Sequence, residues 1–115
     1  MKNVLIAFDK FKDALTALEA CQTAQEALAP VQPDWSFSIA PLADGGDGFC
    51  QTLTDVAGGR LRTTSVRGPT GAETRATFGL VPVAKLPQAA AELLSLPAAV
   101  KTLGLVEMAQ TSGIA

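Results

Sequence analysis

The chain has 115 residues, of which 48% are hydrophobic and 17% charged, with a net charge of −2, an isoelectric point near 4.9 and a mean hydropathy of +0.27. That length allows one domain at most, and the acidic balance weighs against nucleic acid, which calls for a basic patch or stripe. Histidine and tyrosine are both absent, so imidazole acid–base chemistry and His-ligated metals are excluded within this chain.

No apolar run approaches the ~20 residues of a membrane helix. Cys21 and Cys50, in a chain that shows no signal peptide, read as reduced thiols of a cytoplasmic protein.

Residues 4–8 (VLIAF) form a continuous β-prone apolar run, which predicts a strand buried on both faces of a parallel sheet. Asp9 and Lys12 follow at its C-terminal end, where open α/β sheets bind ligands. A helix is predicted over residues 15–29. Thr16 and Glu19 have capping-box spacing, and Ala14, Ala17, Leu18, Cys21, Ala24 and Leu28 share its apolar face. Pro30 and Pro33 stop it. A second strand is expected over 35–40, a helix over 49–57, and Gly58-Gly59 closes that helix.

The pattern then changes. Residues 60–66 and 73–81 read as two strands joined by Gly68-Pro69-Thr70-Gly71, a hairpin or pair of edge strands. In the second of these, Ala76, Phe78 and Leu80 are expected on the buried face. Residues 88–96 suggest a short helix between Pro87 and Pro97. A last central strand is expected over 104–109, running into a turn at 110–113. Too few helices follow to cover both faces of such a sheet, so the chain reads as one portion of a longer protein.

The most informative stretch is Pro-Leu-Ala-Asp-Gly-Gly-Asp-Gly-Phe-Cys at 41–50. Its three glycines (Gly45, Gly46, Gly48) permit positive φ and close approach, and a glycine-rich turn opening a helix aims N–H groups at an anion. Asp44 in the same turn is reconciled with a phosphate by a bridging Mg²⁺. The same composition equally suits a tight turn with Asp47 as the N-cap of the following helix. Three strand ends carry charge: Asp9/Lys12, Asp44/Asp47 and Glu107 with Ser112. Converging at one sheet edge, they would supply the parts phosphoryl transfer uses. No GxxxxGK[ST] motif occurs, so this is not a P-loop enzyme. A haloacid-dehalogenase-like phosphatase would want a second Asp where Phe11 stands.

Four ordered blocks resemble the glycerate kinase family of the type that makes 2-phosphoglycerate. DKFKDALTA at 9–17 is similar to that family's DSFKGSLSA, departing at Lys10, Asp13 and Ala14. PLADGGDGF is similar to P-x-ADGGEGT, RGPTGAET to TGPLGEPV, and VEMAQTSGI at 106–114 to IEMAAASGL. The resemblance implies an α/β protein with an open, mostly parallel sheet, flanking helices and a β-hairpin. It makes residues 1–115 the incomplete N-terminal portion of a larger two-domain kinase. The implied activity is ATP- and Mg²⁺-dependent phosphorylation of D-glycerate, with a homodimer among the expected assemblies.

On this reading Lys12 and Asp44 are the catalytic candidates, Lys12 pairing with a phosphate or the glycerate carboxylate. Asp44 holds Mg²⁺ or accepts the hydroxyl proton. Gly45 and Gly46 give backbone approach, and Asp9, Asp47, Glu107 and Ser112 are further phosphate- or substrate-binding candidates. Arg60, Arg62, Arg67 and Arg75 are expected on a solvated face. A non-catalytic binding module with the same fold is the competing class.

Overall fold

A computed structural model describes residues 1–112 of the chain, the side chains through Gln110. Gly113 and Ile114, the end of the fourth resembling block, lie outside the described residues, as does the side chain of Ser112. The element order is β1 (Lys2–Ile6), α1 (Ala17–Leu28), β2 (Trp35–Ile39), α2 (Phe49–Val56), β3 (Arg60–Arg67), β4 (Glu73–Pro82), a 3₁₀ turn (Val83–Lys85), α3 (Gln88–Leu93), β5 (Thr102–Val106) and α4 (Met108–Ser112).

The strands form two sheets, which corrects the expectation of one mostly parallel sheet. β1 and β2 pair in parallel, Val4 opposite Phe37. β3, β4 and β5 form an antiparallel sheet with β4 in the middle. The reason lies in the connection before β5. A parallel crossover needs a helix packed on the sheet, whereas α3 has only six residues, with Leu93 87% exposed. The chain therefore returns as a local antiparallel neighbour, and Val83 N donating to Lys101 O at 2.9 Å extends that ladder. β5 is thus not a central strand of the parallel sheet. Its apolar run also ends earlier than expected, because residue 108 already begins α4.

In α1, Thr16 is the N-cap and forms the full capping box with Glu19. The side facing β1 is centred on Ala17, Ala20 and Cys21, while Leu18 and Ala14 are exposed. The helix is thus rotated toward Ala20, because small residues allow close approach to β1. Cys21 Sγ donates to Ile6 O at 3.6 Å. β1 was expected to be buried on both faces; with one partner strand and one covering helix, only Ile6 is buried and Leu5 stays exposed.

In β4 the buried residues are Ala76, Gly79 and Val81, so the expected alternation through Phe78 and Leu80 is displaced by one residue in the second half. Gly79 explains the shift. A Cβ there would collide with the Oγ1 of Thr54 on α2, so the helix sits directly on a bare stretch of strand. Gly59 is similar: its Cβ would lie 2.6 Å from Leu80 O. Cys50, Thr54 and Val81 are fully buried at this junction. The hairpin is as expected, with Gly71 at φ 85° and Gly68 N donating to Ala72 O at 2.8 Å. All four arginines are exposed.

Candidate functional site

Two turns leave the C-terminal edge of the parallel pair side by side. The pairing continues past the strands, with Ala40 N donating to Ile6 O at 2.8 Å and Leu42 N to Phe8 O at 2.9 Å. That continuation brings the segment after Phe8 beside the glycine-rich loop.

The first turn is a small closed loop. Phe11 N donates to Leu15 O at 3.0 Å and Leu15 N to Phe11 O at 2.9 Å. The loop leaves Lys12 exposed at its tip and holds Asp13 at φ 61°, a left-handed conformation that Asp tolerates better than most residues. Phe8 and Phe11 pack ring against ring at 5.9 Å.

In the second turn Asp44 Oδ1 accepts from Gly46 N at 3.1 Å and from Lys10 Nζ at 3.4 Å. Lys10 Nζ also stands 3.9 Å from Asp9 Oδ1, so one ammonium faces two carboxylates from two turns. The Gly46 amide, followed by Lys10, holds the Asp44 carboxyl below the usual aspartate range. Gly45 and Gly48 adopt φ 98° and 92°, conformations that L side chains rarely take.

Between the turns lies a cleft of about 450 Å³. One wall includes Asp9, Lys10 and Lys12; the other includes Asp47, Gly48 and Gln51. Asp44, Gly45 and Gly46 adjoin this lining through Lys10, whose contacts reach Asp44 and the space beside Gly46.

Asp47 was a candidate cap for α2, but the helix begins one residue later. Its N-cap is Gly48, with no side-chain cap bond. The carboxylate at the first turn is instead that of Glu107, 4% exposed, whose Oε1 accepts from Cys50 N at 3.1 Å. Glu107 is therefore turned inward beneath α2 and does not line the cleft. The thiol of Cys50 donates to Leu105 O at 3.3 Å; burial, opposed by the Thr54 hydroxyl and reinforced by the Glu107 charge, pushes it up. Ser112 falls in α4.

Lys10 is a departure from the resembling motif, yet a cation next to Asp9 at a strand end is itself a signal in the sequence. Nothing local in the sequence pointed to the Glu107–Cys50 bond, which spans 57 residues.

The fold and the cleft define an α/β protein with a mixed-charge pocket at the ends of parallel strands. The chain belongs to the glycerate kinase family, whose model matches residues 4–115. It is similar to a glycerate kinase from Halalkalibacterium halodurans, 30% identical over 114 residues, covering 99% of this chain and 26% of that protein. It is also similar to glycerate 2-kinase of Escherichia coli, 31% identical over 114 residues, covering 96% of this chain and 30% of that protein. Among solved structures it resembles a Salmonella typhimurium LT2 protein described as glycerate kinase 2, with a TM-score of 0.63, 27% identity, and coverage of 77% of this chain and 28% of that one. The chain thus spans under a third of the length of each of these proteins.

Proposed function

We propose that the protein to which this chain contributes phosphorylates D-glycerate to 2-phosphoglycerate with ATP and Mg²⁺, and that residues 1–115 are the N-terminal portion of a two-domain kinase. The observation that carries this reading is the cleft, where two lysines and the carboxylates of two strand-end turns adjoin a glycine-rich loop in a chain of this family.

Glycerate offers a carboxylate to bind and a hydroxyl to react. Lys12, free of any ion pair with the described residues, suits the carboxylate or the transferred phosphate. Asp44 already accepts from the Gly46 amide and faces the Lys10 ammonium, an arrangement suited to holding a cation rather than taking the hydroxyl proton. Phosphoryl transfer depends chiefly on positioning and charge stabilisation, so it tolerates a weak base.

Mg²⁺ fits this donor set. Asp9 and Asp44 already share one cation, the Lys10 ammonium, and Mg²⁺ in phosphoryl-transfer sites takes one or two carboxylates plus waters and phosphate oxygens. No cluster of three or more acidic, Cys or His groups occurs among the described residues. When bound, the ion neutralises phosphate charge. The nucleotide site belongs, on this proposal, to the rest of the protein. No described helix is long and apolar enough to cross a membrane; the cytoplasmic setting is part of the proposal.

The test is an ATP-dependent transfer assay with D-glycerate on the complete gene product and on residues 1–115 alone. Turnover is expected only in the former. Glycerate binding without turnover in the complete protein would favour a binding module instead.

A further inference from the structure

Helix α2 has no side-chain cap from its own loop. Gly48 at its N-cap carries no side chain and forms no side-chain cap bond. Asp44 is committed to Gly46 and Lys10. The group that does reach the first turn is the buried carboxylate of Glu107, arriving from the end of β5. A carboxylate is favoured at a helix N-terminus, but burying its charge carries a desolvation cost that a neutral Ser or Asn cap would avoid. The placement therefore calls for more than capping.

A second bond ties the same turn to the same strand, since Cys50 Sγ donates to Leu105 O at 3.3 Å. Gly48 and Gln51, on either side of Cys50, line the cleft. The first turn of α2 is thus pinned to the antiparallel sheet, while the lysine wall of the cleft stands on the parallel pair.

We propose that Glu107 is a positioning residue: without touching substrate, it fixes the glycine-rich loop at residues 44–48 against Lys12 across the cleft. This deepens the glycerate kinase reading and rests on it. It also assigns the Cys50 amide to an internal anion rather than to substrate phosphate.

The experiment compares Glu107→Ala, Glu107→Gln and Glu107→Asp in the complete gene product, each assayed well below its own melting temperature. Misplacement of a site by about 1 Å costs on the order of a hundredfold, so Glu107→Ala is expected to lower kcat by roughly tenfold or more. Glu107→Gln, which keeps the acceptor oxygen, should recover most of that loss. Glu107→Asp keeps the charge but falls one methylene short, so it should fold and still lose kcat. A drop in melting temperature with unchanged kcat and KM in the folded variants would overturn the proposal, because a cap that only stabilises leaves the kinetics alone. Amide exchange separates this claim from the functional one. Gly45, Gly46 and Gly48 should exchange faster in Glu107→Asp while the β3–β4 amides stay protected, whatever the wild type phosphorylates. Uniform loosening, or none, would overturn the positioning role. An inactive wild type with selective loosening would overturn only the kinase reading.

Discussion

In the antiparallel sheet, Cys50, Thr54 and Val81 are fully buried between α2 and β4, whereas on the parallel pair Leu5 is 66% exposed and Phe8 38%. The difference follows from topology. An antiparallel meander needs cover on one face, and α2 supplies it. A parallel pair needs cover on both faces, and α1 covers one. The Cα radius of gyration, 16.8 Å, exceeds the roughly 13 Å of a compact chain of this length, in keeping with one finished layer and one unfinished layer. The cleft lies between the turn after β1 and the loop that opens α2, so its loop side is backed by the covered sheet through α2 and its lysine side stands on the open pair.

The sharpest way to break this comparison is to overfill the closed unit. Gly79→Val places its Cβ where Thr54 sits, and should cost upward of about 3 kcal/mol in urea unfolding. Leu5→Ala in the same chain should cost under about 1 kcal/mol, as exposed sites do. In the complete protein, where we propose that β1 is covered, Leu5→Ala should instead cost about 2–5 kcal/mol. Equal, small losses in both contexts would remove the argument that this face is meant to be buried.

Next in size is the cation. Lys12→Ala in the complete protein is expected to reduce turnover by at least about a hundredfold with folding unchanged, since a positioned charge on a transferring phosphate is worth several kcal/mol. Wild-type kinetics would take Lys12 out of the site.

Asp44→Asn should then weaken Mg²⁺ dependence far more than Asp47→Asn, and Asp47→Asn should leave the melting temperature nearly unchanged because Gly48, not Asp47, is the N-cap. The opposite order in a magnesium titration would exchange the two roles.

The smallest effect concerns pH. The folded pKa of Asp44 is depressed, so its contribution to stability is present above the unfolded value and lost as pH falls through the folded one. Its titration by NMR should midpoint below that of a free aspartate. In Lys10→Ala it should rise only partway, because the Gly46 amide, the larger cause, remains. A full return to the ordinary value would make Lys10 the dominant partner.

What was legible in the sequence was local. The Thr16–Glu19 capping box, the glycine-rich turn and the Gly68–Gly71 hairpin each announce themselves within a few residues, and each is present. The family was legible too, because its blocks are contiguous. What escaped were pairings between distant segments. The antiparallel return of β5 depends on α3 failing to pack, the shifted burial of β4 depends on Thr54 standing over Gly79, and the cap of α2 comes from Glu107. Each is settled by shape across the fold, which a period-2 or period-3.6 pattern does not encode. Lys10 escaped differently: its charge was visible, but its reach to both Asp9 and Asp44 needed the two turns side by side.

The most direct test of the account is a crystal structure of the complete protein with D-glycerate and a non-hydrolysable ATP analogue. We expect glycerate between residues 9–16 and 43–52, its carboxylate or the adjoining phosphate within hydrogen-bonding distance of Lys12, and Glu107 still bonded to Cys50 N beneath the loop. Glycerate bound elsewhere, with this cleft filled only by water, would contradict the central claim that the cleft between the two turns is the substrate site.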